Sequence, residues 1–187
     1  MVGTMGEAPQ HTIVVESLED AERVMPSNPE RVGFLTQTTL SVDDTRAILE
    51  VLQQRFPALV GPRKEDICYA TQNRQEAVET VGRRTDLVLV VGSKNSANSN
   101  RLVEVVKGAG GRAYLIEDEH AIEPAWLEDA QAVALSAGAS APEVLVERVA
   151  ERLRALGFTN VEDVEVIPED VRFNLPTELV SFAHASR

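Results

Sequence analysis

Short β-branched runs alternate along the chain with longer stretches of helical period. The runs are HTIVVE, VGFLT, DLVLVVG, RAYLI and AVALSAG, beginning at residues 11, 32, 86, 112 and 132. Between them lie SVDDTRAILEVLQQRF, NRQEAVETVG, NSNRLVEVVKGAG and APEVLVERVAERLRALG, whose apolar residues recur at helical intervals. The alternation predicts an α/β fold of βα units, three layers deep, with mostly parallel sheets. Ser41 and Asp44 form an S-x-x-D helix start, and Pro142 stands where a helix would begin after Ser140. Gly108, Gly110, Gly111 and Gly157 follow helical runs and mark their ends. The Gly61 to Pro62 turn predicts a boundary between one unit over residues 1–64 and a second over residues 65–187.

Three of the apolar runs pass directly into hydroxyl-rich turns and then into helices: VGFLTQTTLSVDD, VLVVGSKNSANSNRL and VALSAGASAPEVL. Such turns fall at the carboxyl ends of parallel strands, where the next helix offers unpaired N–H groups and the positive end of its dipole. An anion is the implied guest, most simply a phosphate. Ser, Thr and Asn are also the preferred N-cap residues, so any one of these turns is explained by capping alone. SKNSANSN, however, holds more Ser and Asn than one cap can use, and SAGASAP is built of small residues that let a ligand approach the backbone. The glycines fit neither a P-loop nor a dinucleotide fingerprint, which leaves a diphosphate held by hydroxyls and amides.

Charge and cysteine usage narrow the class further. Lys and Arg total 18 against 30 Asp and Glu, a net charge of −12, which argues against nucleic acid or an anionic membrane surface as partner. No apolar run approaches the roughly 18 residues of a membrane span, and MVGTMGEAPQHT lacks the marks of a signal peptide. One cysteine excludes an internal disulfide and suits a reducing compartment, so a cytoplasmic protein is expected.

That cysteine, Cys68, lies in DICYATQNRQEAV. It reads either as a small buried hydrophobe or as a metal ligand at the start of a helix capped by Thr71, whose positive end favours a thiolate. A single thiolate cannot hold a metal cluster. His11, His120 and His184 show no ligand spacing, and with Glu117 to Glu119 and Glu162 to Asp170 they read as solvated surface. Trp126, in PAWLEDA, reads as the core anchor of a short helix.

Taken together and in order, TMG, TQTTLSVDD, VGPRK, DICYATQNRQEAV and VGSKNSANSNRL resemble the LytB or IspH family of 4-hydroxy-3-methylbut-2-enyl diphosphate reductases, from Gly3 to about residue 176. The resemblance implies two of that family's three similar domains. It also implies an iron–sulfur reductase of the non-mevalonate isoprenoid pathway, which turns an allylic alcohol diphosphate into isopentenyl and dimethylallyl diphosphate. The implied cofactor is a [4Fe-4S] cluster on three cysteines, with a donor such as ferredoxin or flavodoxin supplying electrons. Carried over, Cys68 resembles the third cluster ligand and Thr38 the threonine at the substrate's hydroxyl end. Ser96, Ala97, Asn98 and Ser140 resemble the diphosphate contacts.

Two departures accompany the resemblance. At Ala97 the family usually has a second serine, so only a backbone N–H is expected to serve there. Family members also place an HPEV-like segment before GTMG, with a diphosphate-binding histidine and a proton-donating glutamate, whereas this chain reads MVGTMG from Met1. The position that matches the glutamate therefore falls before Met1, and no catalytic residue is expected in the chain. The expectation is a carboxyl-terminal portion of the reductase, inactive alone. The alternative is a non-catalytic diphosphate-binding protein that has lost its redox centre.

Overall fold

The computed structural model describes residues 2–62 and 66–168. Its centre is a three-stranded parallel sheet of β1 (Leu87–Val91), β2 (Ala113–Ile116) and β3 (Val133–Ala137), in the order β2-β1-β3. All five residues of β1 are buried, as expected of a central strand covered on both faces. Its side chains divide by parity. Val88 and Val90 pack against Val78 of α4 (Tyr69–Gly82) and against Leu102, Val103 and Val106 of α5 (Ala97–Gly108). Leu87, Leu89 and Val91 face Val149 and Leu153 of α6 (Glu143–Ala155), with Ile122 from the β2–β3 connection. The predicted three layers follow from this period of two.

The β2–β3 connection holds two 3₁₀ turns, Glu119–Ala121 and Pro124–Trp126. Trp126 lies half-buried in the second and stacks on Tyr114 with ring centroids 3.9 Å apart, which makes it a packing anchor as expected. Positive φ at Gly110 (85°) and Gly157 (108°) releases the chain from α5 and α6, where a side chain would be strained.

The amino-terminal part is built on α1 (Val2–Glu7), α2 (Leu18–Arg23) and α3 (Val42–Arg55). Ala21, Leu52 and Phe56 are its buried centre, with Val15, Val24, Val32 and Ile48 packed around them. Here two expected strands are corrected. HTIVVE forms no strand, and VGFLT contributes only an isolated parallel bridge between Gly33 and Val60. A strand exists through its partner's hydrogen bonds, and only Val32 to Phe34 finds one, through Phe34 N–H to Val60 O and Val60 N–H to Val32 O, each 3.0 Å. Ile13, Leu35 and Val60 are correspondingly exposed.

Asp86 ties the starts of β1 and β3 together. Its carboxylate accepts the backbone N–H groups of Ala132 (3.0 Å) and Gln131 (2.9 Å), and these bonds hold its pKa below the ordinary 3.8. A folded pKa depressed below the unfolded one adds stability that is complete above the unfolded value and lost as pH falls through the folded one. Urea titrations of Asp86→Asn against the parent chain should therefore show a stability gap that is constant down to about pH 4 and narrows below it. A gap independent of pH would contradict the assignment.

Candidate functional site

The carboxyl ends of β1 and β3 meet the first turn of α5. Ser96 is the N-cap, and its Oγ accepts the Ser99 N–H at 3.3 Å. The Ser99 hydroxyl lies 3.0 Å from Ser96 Oγ. Gly92 and Gly138, the residues following β1 and β3, both face Ser99, and a Cβ on either would collide with the Ser99 Oγ. Missing side chains thus let the helix start press directly on the sheet edge. Ala97 is exposed, and its N–H, like that of Asn98, stands in the first turn with no intrahelical acceptor.

Asn98 carries the clearest chemical signal. The residue is 7 % exposed, yet neither its Nδ2 nor its Oδ1 has a hydrogen-bond partner among protein groups. An unmade bond at a buried amide costs about 1–3 kcal/mol, so a packed helix start does not carry one without compensation. Its Nδ2 lies beside Gly138, two residues before Ser140. Ser140 is exposed and lines a cleft of about 180 Å³ with Val91, Gly92, Ser93, Glu117, Ala141, Pro142 and Leu145. Asn98 and Ser99, the latter bonded to Ser96, therefore face Gly138 at the carboxyl edge of the sheet, and exposed Lys94 lies in the turn before α5.

Thr38 and Cys68 form a second group. The Cys68 N–H donates to the Thr38 carbonyl at 3.2 Å, which fixes the two backbones side by side. Two further bonds pin the segment carrying Thr38. Asp66 Oδ2 accepts the Thr36 N–H at 2.7 Å. The buried Gln75 side chain, on α4, accepts the Val42 N–H at 3.0 Å and donates to the Leu40 carbonyl at 2.8 Å. Pattern reading missed Gln75, because a glutamine within a helical run carries no signal of the loop it binds.

Several expectations change here. Cys68, not Thr71, is the N-cap of α4, and Thr71 is a buried residue within the first turn whose N–H bonds the Cys68 carbonyl at 2.8 Å. Cys68 is exposed, which removes the reading of it as core filler. Pro142 is the N-cap of α6 and not its first helical residue. His11 and His120 are exposed as expected, whereas His184, Glu169 and Asp170 lie outside the described residues. Met1 also lies outside the described residues, and Val2 opens α1. Glu119 is not fully solvated: its side chain is 20 % exposed and its Oε2 is buried without a partner. Among the described residues, no three His, Cys, Asp or Glu side chains gather as a metal site.

A parallel sheet covered by helices on both faces, with a helix starting at its carboxyl edge, defines an α/β protein of the kind that takes ligands beyond its strand ends. The family described as LytB protein matches residues 1–154, and the chain belongs to that family. It is 52% identical over 177 residues to the 4-hydroxy-3-methylbut-2-enyl diphosphate reductase of Aromatoleum aromaticum, which covers 95% of this chain and 57% of that protein. It is 50% identical over 180 residues to the reductase of the same description from Streptomyces avermitilis, across 96% of this chain and 53% of the relative. The solved structure of the E-1-hydroxy-2-methyl-but-2-enyl-4-diphosphate reductase from Plasmodium falciparum aligns with a TM-score of 0.86 at 29% identity, covering 99% of this chain and 59% of that one. The chain spans somewhat more than half the length of these relatives.

Gln75→Leu keeps the volume near α4 but strands the Val42 N–H and the Leu40 carbonyl, each at a cost of about 1–3 kcal/mol if it stays buried. Native-state amide exchange should then accelerate at Val42 and Cys68 before it changes in β1. Unaltered protection at both amides would show that Gln75 does not hold this segment.

Proposed function

We propose that this chain supplies the diphosphate-holding part of an oxidoreductase acting on 4-hydroxy-3-methylbut-2-enyl diphosphate. Asn98 carries the reading: its buried Nδ2 has no partner, and beside a helix N-terminus and an N-cap hydroxyl it is placed to donate to an acceptor such as a phosphate oxygen. In this reading the Ser96 and Ser140 hydroxyls, the Asn98 Nδ2 and the Ala97 N–H donate to the diphosphate. Thr38 meets the alcohol end of the substrate. The chain divides near residue 64 into the two units that supply Thr38 and the diphosphate contacts.

A [4Fe-4S] cluster is the cofactor the family implies, and this chain alone does not fit it. Cys68 is its one thiol, and no ligand group gathers around it among the described residues. Cys68 would be one of three ligands only when the other two come from outside these residues, and the electrons would come from a donor such as ferredoxin or flavodoxin. What the chain itself contributes is binding and orientation of the diphosphate. We place the protein in the cytoplasm. No described helix is long and apolar enough to cross a membrane.

Two measurements test the proposal. Calorimetric titration with inorganic pyrophosphate should show binding that Asn98→Leu weakens about tenfold, while the variant's thermal stability holds or rises because an unpaired buried amide has been replaced by an apolar group. Loss of stability with unchanged affinity would contradict the role given to Asn98. The second is anaerobic treatment of the purified chain with iron and sulfide, from which we expect no iron–sulfur absorbance and no substrate reduction with dithionite and a viologen. Turnover by the chain alone would refute this. Pyrophosphate binding by a chain that never gains activity beside the rest of the reductase would favour a diphosphate-binding protein without redox chemistry.

A further inference from the structure

We infer that Ser99, which touches no ligand in the reading above, is a positioning residue that commits the Ser96 hydroxyl proton to the bound anion; the inference rests on that reading. Ser96 Oγ has two acceptor lone pairs and one proton to donate. The Ser99 N–H occupies one lone pair at 3.3 Å, and the Ser99 hydroxyl, 3.0 Å away, is placed to occupy the other. With both filled, the Ser96 O–H is left only as a donor directed away from Ser99, and a chain of hydroxyls ending on an anion strengthens each of its bonds.

Geometry holds Ser99 to this task. The residue is 1 % exposed, and its Oγ lies against the Cβ-less faces of Gly92 and Gly138. Those backbones cannot recede, because the Gly92 N–H bonds the Ile116 carbonyl and the Gly138 N–H bonds the Val91 carbonyl, both at 2.9 Å. The Ser99 side chain therefore stays at Ser96. Asn98, next to it in the chain, provides the independent sign of a ligand, since its buried amide lacks a partner. A serine kept only to pack would be better replaced by alanine, which has the higher helix propensity.

The test is a double-mutant cycle read by calorimetric titration of inorganic pyrophosphate into the full chain, with Ser96→Ala, Ser99→Ala and the double variant. Ser99→Ala removes one oxygen and leaves the Ser99 N–H to Ser96 Oγ bond intact, so α5 keeps its cap; far-UV circular dichroism checks this. The expected result is a loss of about tenfold for Ser96→Ala, about three- to tenfold for Ser99→Ala, and no further loss when Ser99→Ala is added to Ser96→Ala. If the two losses multiply, or if Ser99→Ala binds as tightly as the parent, the inference is overturned while the diphosphate reading stands. Ser96→Ala binding at parental strength overturns the inference as well, and a parent chain that binds no pyrophosphate overturns both.

Discussion

The site depends on the close approach of α5 to the ends of β1 and β3. A helix that follows a parallel strand normally rests its first turn about one side chain away from the sheet. Here the two residues it meets, Gly92 and Gly138, have no side chains, and Ser99 fills the space that a Cβ on either would occupy. Both glycines extend the hydrogen bonding of the sheet beyond the strands themselves, so neither can yield without breaking a bond of the ladder. β1 is buried on both faces along its whole length and paired on both sides. Contact with its end transfers that rigidity to Ser96 and Asn98, as the proposed reading of them as ligand donors requires.

The Thr38 side is held by other means. No sheet stands behind residues 36–42, and the segment takes its position from the Asp66 carboxylate, the Gln75 amide and the Cys68 N–H. The ion pair between Arg101 of α5 and Asp44 of α3 adds little, at 3.4 Å with Asp44 73% exposed. What joins the two sides is α4, which packs against α5 and β1 and carries both Cys68 at its start and Gln75 in its second turn.

How much of this the sequence disclosed follows from how local each signal is. The strands of the central sheet were legible because their apolar runs are buried on both faces, and the runs at residues 86, 112 and 132 all became strands. The equally β-branched HTIVVE did not, since no run of residues states whether a pairing partner is within reach. Ser96 was visible as a cap and a hydroxyl, and Asn98 as one excess amide in SKNSANSN. That Asn98 is buried without a partner, that Ser99 is wedged against Gly138 as well as Gly92, and that Gln75 binds a loop more than thirty residues upstream are long-range facts. Cys68 shows the reverse case: the helix start is legible, but hydroxyl preference points to Thr71 as the cap, whereas the true cap is a thiol with no capping bond of its own.

A chain of net charge −12 is an unlikely host for a diphosphate if long-range attraction decides the matter. It does not decide it here, because charges on the far surface are screened beyond about 8–10 Å at physiological ionic strength. What acts within that range is a set of neutral donors with fixed directions, plus Lys94 in the turn before α5 and Glu117 across the cleft that Ser140 lines. Glu117 opposes an anion in that cleft, so a ligand gains most at the Ser96 and Asn98 side, where buried donors replace water. Neutral donors also give selectivity that a lysine cluster lacks. They reward an anion whose oxygens match their directions and offer little to one that merely carries charge, so in the proposed reading an acidic surface can repel polyanions while the sheet edge takes a small diphosphate.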